Sequence, residues 1–221
     1  MKTIMHNSVS LDGSFINFDV DMGLHYQIAS KLKPDAHLIG SDTVTAGIEL
    51  YGGEIPLEKE ADLVKPERSA GLPYWVIVDS KGKTKGLLHT CRSFEFCKDV
   101  IVLISQKTDT SFIDYLKERS YDYLMCGDTR VDFGKAYRAL TEKYGIRTIM
   151  VDSGPMLNGV LLDKGLIDEI SLLVFPVLVG KRSDKLLDQL NTGARNINLK
   201  LLEHENLDKG LVSLRYRVLK K

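Results

Sequence analysis

Cysteine is scarce in this chain. Cys91, Cys97 and Cys126 make an odd number with no CxxC spacing, which excludes a disulfide framework. His89, Cys91 and Cys97 match no standard zinc spacing, so packing is the preferred reading for them. Long apolar runs are absent as well. The longest, Ile170–Gly180, falls short of the ~18 residues a membrane span needs and contains Pro176. The first residues lack the apolar core and small-residue cleavage site of a secretory signal, so a cytoplasmic location is expected and no membrane partner. There is no surplus charge: 30 Lys and Arg balance 30 Asp and Glu. That excludes a general nucleic-acid binder and a disordered acidic chain alike. No GxGxxG follows a strand, and no Walker A loop, internal repeat or low-complexity tract is present.

What remains is an ordinary globular composition, 43% hydrophobic over 221 residues, enough for a single domain over residues 1–221 with a sizeable core. Strand-like and helix-like segments alternate, the mark of an α/β fold with a mostly parallel sheet flanked by helices. The strands are expected at Thr3–Val9, Ala36–Ile39, Tyr74–Val78, Val100–Ile104, Tyr121–Cys126 and Arg147–Val151. Helical periodicity covers Asp21–Lys33, with Met22, Leu24, Ile28, Ala29 and Leu32 on its apolar side and Pro34 as its stop. It also covers Phe112–Lys117, Phe133–Tyr144 (inner face Ala136, Tyr137 and Leu140, cap Gly145) and Pro155–Lys164. Tyr51–Leu72 reads as an irregular surface excursion. Ile170–Leu178, Leu199–Glu205 and Gly210–Leu219 follow without helices between them, which predicts an antiparallel finish.

The segment richest in chemistry is Val151–Asn158, where an apolar strand runs straight into Asp152, Ser153 and Gly154, and Pro155 occupies the first helical position. A glycine at such a junction lets a ligand approach the backbone, and the helix N-terminus attracts an anion. Ligands of parallel sheets bind outside the carboxyl ends of the strands, which puts Asp152 at that mouth. A plain strand-to-helix turn satisfies the same residues. Three more strand ends carry similar groups: Ser8–Gly13 with a turn at Asp12 and Gly13, Gly40–Thr43, and Asp79–Gly82. Each alone reads equally as a loop; together they fit a shared ligand cleft.

Taken in order, these elements resemble the dihydrofolate-reductase-like superfamily, and within it the reductase domain of riboflavin biosynthesis, which stands alone in archaea and fungi and forms the C-terminal half of the bacterial deaminase–reductase. The resemblance rests on Ser10, Leu11, Asp12 and Gly13; Gly40, Thr43 and Val44; Val78–Gly82; Val131–Phe133; Val151–Asn158; Gly165–Glu169; and Pro176–Gly180. It implies a homodimer and NADPH as hydride donor, with Thr43, Ser80, Val131, Ser153, Gly154, Pro155, Met156, Leu157 and Asn158 holding the cofactor. It also implies that Asp152 faces the substrate, where the family carries a glutamate, and that Asp12 belongs to the catalytic set. The family's Glu-Gly-Gly is here Asp152, Ser153 and Gly154; its lysine before the first motif is here His6; and Lys31 stands near a substrate-side arginine.

The reaction so implied reduces a ribosylamino-pyrimidine 5′-phosphate to its ribitylamino form. Asp152 would stabilise an iminium, His6 or water would donate a proton to ring opening, and Lys31 would reach the substrate phosphate. His25, His37, His89 and His204 read as structural. Two other functions suit the residues: a related NADPH-dependent reductase of dihydrofolate, a pterin or another heterocycle, and a non-catalytic nucleotide-binding protein.

Overall fold

A computed structural model describes residues 1–51, 55–187, 190 and 196–220. In chain order the principal elements are β1 (Lys2–Ser10), α1 (Met22–Lys31), β2 (Ala36–Gly40), α2 (Ser41–Tyr51), β3 (Tyr74–Val78), α3 (Leu88–Ser93), β4 (Val100–Ile104), α4 (Thr110–Glu118), β5 (Asp122–Met125), α5 (Phe133–Tyr144), β6 (Thr148–Val151), α6 (Pro155–Asp163), β7 (Glu169–Phe175), β8 (Leu199–Asn206) and β9 (Val212–Val218). None of the described helices is long and apolar enough to cross a membrane. The chain forms two compact units, one of Asp35–Arg147 with Met1, the other of Lys2–Pro34 and Thr148–Lys221.

In the first unit four parallel strands lie in the order β5-β4-β3-β2. β3 and β4 are near-continuous apolar runs, as strands covered on both faces must be. Trp75, Ile77, Val100, Val102, Phe112 and Leu116 pack there with Val44 and Ile48 of α2 into one core cluster. Asp132 caps α5 through a 3.0 Å bond from the Lys135 amide, and Gly145 closes it at φ 68°, where a side chain would be strained. Buried Arg92 binds Asp99 at 2.9 Å and the main-chain oxygens of Asp62, Val64, Arg119 and Ser120, while its guanidinium lies 3.8 Å from the Tyr121 ring centre.

In the second unit the order is β6-β1-β7-β9-β8. β1 pairs in parallel with β6 and β7, and the last two strands run antiparallel, as expected. Thr3–Ser10 of β1 are all buried although five of the eight are polar. Side chains alternate across a strand. His6, Ser8 and Ser10 therefore share one face, and Asn7 belongs to the other.

Several expectations need correction. Gly40–Thr43 is no loop: α2 starts at Ser41 directly after β2, because Val44 and Ile48, one turn apart, are drawn into the core. α3 was not foreseen at all; its six residues are too few for a visible period. On α1 the buried residues are His25, Ile28 and Ala29, whereas Met22 and Leu24 are only partly covered. Part of the Tyr51–Leu72 excursion, Gly52–Glu54, lies outside the described residues.

Candidate active site

In the second unit, the carboxyl ends of β6, β1 and β7 bring together three segments: Asp152–Gly154, Ser10–Gly13 and Pro176–Gly180. Their carboxylates are differently placed. Asp12 accepts the Ser10 hydroxyl at 2.6 Å, the Gly180 amide at 2.9 Å and the Val179 amide at 3.2 Å. Those bonds, that of Ser10 foremost, lower its pKa from 3.8 to about 2. Asp12 thus ties the β1 turn to the loop after β7. The Asp152 side chain, 18% exposed, ends 3.3 Å from Nε2 of His25 on α1.

His25, read from the sequence as structural, is brought against Asp152. It lies three and four residues before Ile28 and Ala29, on the buried side of α1. Its Nδ1 meets the Ser8 hydroxyl at 2.9 Å. His6 is fully buried beneath it, with ring centres 4.5 Å apart. His6 Nε2 is 3.2 Å from the His25 carbonyl and its Nδ1 is 3.0 Å from the Ser171 hydroxyl. The signal that could have pointed here is the polar series His6, Ser8 and Ser10 at a period of two in a strand that is otherwise core.

On the other face of β1, Asn7 and Asn158 both donate to the Ser153 carbonyl, at 2.9 and 2.7 Å, and the Asn158 amide also bonds the Asn7 oxygen at 3.1 Å. Asn158 is completely buried, so it sets the junction from within. Gly154 takes the N-cap position, no side chain caps the first turn of α6, and Pro155 follows. Met156 is 71% exposed. A Cβ at Gly154 would meet only the Phe15 ring, at an ordinary 3.7 Å.

The remaining expected cofactor residues belong to the first unit and sit at the carboxyl ends of its parallel strands. Thr43 lies in the first turn of α2, after β2; Ser80 follows β3; Val131 directly precedes the Asp132 cap in the loop after β5. Each is half-buried. The Ser80 carbonyl accepts the Thr108 hydroxyl at 3.0 Å. Lys31 is elsewhere in the second unit, on a cavity of about 170 Å³ also lined by Ser171, Glu203 and Arg215, with its ammonium 3.2 Å from Glu205. Among the described residues no cluster of ligands fit for a metal exists. Burial pushes the Cys91 and Cys97 thiols up to about 12, away from the thiolate a metal would require.

α6 begins at Pro155 directly after Gly154, with no side-chain hydrogen bond from the N-cap, a start whose chemistry suits an anion. The model of the family described as RibD C-terminal domain matches residues 2–213. The chain belongs to this family. Two curated relatives are 2,5-diamino-6-ribosylamino-4(3H)-pyrimidinone 5′-phosphate reductases. That of Aquifex aeolicus is 30% identical over 80 residues, which is 36% of this chain and 35% of the relative. That of Methanothermobacter thermautotrophicus is 26% identical over 146 residues, 63% of this chain and 64% of the relative. The chain is thus matched over less than two thirds of either relative's length. A pyrimidine reductase-like protein of Corynebacterium diphtheriae superposes with a TM-score of 0.73 at 15% identity, covering all of this chain and 92% of that one, a likeness of fold.

Proposed function

We propose that this protein is an NADPH-dependent reductase of a ribosylamino-pyrimidine 5′-phosphate, producing the ribitylamino compound. The observation that carries the reading is a carboxylate, Asp152, partly exposed at the carboxyl end of β6 and two residues before the Gly154 N-cap of α6, in a chain of the RibD C-terminal domain family. Gly154 and the first turn of α6 would hold the cofactor diphosphate; the family resemblance assigns cofactor roles to Thr43, Ser80 and Val131 as well. When bound, the nicotinamide supplies a hydride.

The protein's own groups do the rest. Ring opening breaks the bond between the sugar's anomeric carbon and its ring oxygen, and that oxygen takes up a proton. His6 is fully buried, with both ring nitrogens within hydrogen-bond distance of protein groups, so in this reading water delivers the proton. The open form is a cationic iminium. Asp152 stabilises it through its charge, and the cation is lost when hydride reaches the same carbon and the nitrogen keeps its electron pair. Asp12, held by Ser10, Val179 and Gly180, shapes the wall of the site.

The same reading takes two copies of the chain as the working form. All eight residues of β8 are exposed, Leu199, Leu201 and Leu202 among them, which offers an edge for pairing. It also takes the cytoplasm as the location, where a soluble dinucleotide is at hand.

The test is direct. Purified protein is titrated with NADPH and NADH while thermal stability is followed, then assayed with the ribosylamino-pyrimidine phosphate and with dihydrofolate. NADPH at a hundred times its Kd adds ~2.7 kcal/mol of stability, and only the pyrimidine is reduced. Reduction of dihydrofolate alone replaces the substrate, and binding without oxidation of the cofactor removes the enzyme.

A further inference from the structure

We propose that His25 is a positioning residue for Asp152: from its buried place on α1 it fixes the rotation of the carboxylate that meets the substrate. The inference rests on the reductase reading above and adds a residue to it.

The argument starts from hydrogen-bond chemistry. An ionised carboxylate only accepts, so the bond between His25 Nε2 and Asp152 Oδ2, at 3.3 Å, requires the hydrogen on Nε2. In the neutral ring Nδ1 accepts, and the Ser8 hydroxyl, 2.9 Å away, is its donor. Below it, the His25 carbonyl can only accept, which puts the hydrogen of His6 on Nε2 as well and makes the Ser171 hydroxyl the donor to His6 Nδ1. In each neutral ring an obligate acceptor thus places the hydrogen on Nε2, the Asp152 carboxylate for His25 and the His25 carbonyl for His6, and a serine hydroxyl of β1 or β7 serves Nδ1. The order Ser8, His25, Asp152 forms a directed series across β1, α1 and the end of β6.

Exposure separates the roles. The His25 side chain is 4% exposed and that of Asp152 is 18% exposed. His25 is covered and acts through the carboxylate, whereas Asp152 is partly exposed. A short side chain at a strand end has two torsions to settle, and a misplaced charge loses much of its hold on a developing cation. A buried, tautomer-locked donor behind the carboxylate removes that freedom before substrate arrives. The α1 backbone is anchored in turn, since Asp21 caps it at the Leu24 amide and Ile28 and Ala29 pack inward.

The test compares His25→Leu, which removes the donor, with His25→Gln, whose amide reaches the place of Nε2. By analogy with groups that orient metal-bound histidines, His25→Leu lowers kcat by roughly 10–100-fold, with KM for the pyrimidine and Kd for NADPH nearly unchanged. His25→Gln restores most of that rate. In an Asp152→Asn background, His25→Leu costs about nothing further, because the two residues act as one unit. Unchanged kcat in His25→Leu, a Gln variant no better than Leu, or losses that simply multiply would each overturn the proposal. Nitrogen-15 NMR of the histidines supplies a readout independent of turnover. The Nε2–H form of His25 is expected, with its resonances shifted in Asp152→Asn; an Nδ1–H form overturns the proposal even if His25→Leu does not fold. Wild-type protein inactive toward every pyrimidine and pterin sinks the reductase reading instead, and the NMR result then decides the contact alone.

Discussion

Two strands of this molecule end in valine and are followed by the same two residues. β3 ends at Val78 before Asp79 and Ser80, and β6 ends at Val151 before Asp152 and Ser153. Asp79 is 1% exposed, and its carboxylate is occupied. One oxygen takes the amides of Lys81 and Lys83 at 3.2 and 3.1 Å, and the other takes the Thr84 amide and hydroxyl at 2.8 and 2.7 Å. Asp152 faces the mouth of its unit with a histidine behind it. The residues that follow make the difference. Lys81–Thr84 fold back and present their own donors, with Gly82 at φ 73° permitting the turn. Gly154 and Pro155 start a helix instead, and proline has no N–H to offer. The same residues thus serve as a buried staple in one unit and as a partly exposed carboxylate beside a histidine in the other.

The largest effect separates these two aspartates by activity. Asp152→Asn removes the charge with little change in shape, and kcat falls by about 10²–10³-fold, or ~3–4 kcal/mol of transition-state stabilisation. NADPH affinity holds, as fluorescence titration would measure; a collapse of that affinity would move Asp152 to the cofactor side and end its comparison with an open substrate charge.

Next comes the reciprocal loss. Asp79→Ala leaves buried amides and the Thr84 hydroxyl without their acceptor and destabilises the fold by about 2–4 kcal/mol in urea unfolding. The same change at Asp152 costs under ~1 kcal/mol of stability. Equal stability losses at the two positions would erase the distinction.

A smaller effect sharpens the account of the α6 junction. Gly154 has φ −76°, and a Cβ there meets nothing closer than 3.7 Å, so Gly154→Ala leaves the melting temperature in place. If the diphosphate lies against this backbone, the added methyl weakens NADPH binding about tenfold, near 1.4 kcal/mol. Unaltered binding would place the diphosphate elsewhere.

The smallest effect concerns the third strand-end aspartate. Asp12 has a folded pKa of about 2 against an ordinary 3.8. Because the folded value is the lower one, its contribution to stability is complete above 3.8 and is lost as pH falls through about 2. The melting-temperature gap between wild type and Asp12→Asn is therefore constant from pH 7 to about 5 and closes toward pH 2; a gap that widens in acid would reverse the sign of the argument.

Much of this was legible in the residues. β3, β4 and α5 begin and end where the apolar runs and the period of 3.6 said they would, down to Gly145 at the cap. Strands covered on both faces and an amphipathic helix announce themselves locally. α2 escaped because Thr43, Val44, Thr45 and Gly47 are weak helix formers, and only the core contacts of Val44 and Ile48 commit them to a helix. His25 escaped for a related reason. A histidine on the buried side of a helix reads as packing until the chain that brings up Asp152, 127 residues later, is in place.

The succession of strands, the α/β class, the antiparallel finish and the glycine–proline junction after β6 were determined by sequence, because they depend on neighbours within a few residues. Which strand-end aspartate became a buried staple and which stayed partly exposed, and which histidine it met, was decided only in the tertiary structure. Hydrogen-bond donors compete for a carboxylate by proximity in space, and that proximity is set when β1, α1 and β6 pack together.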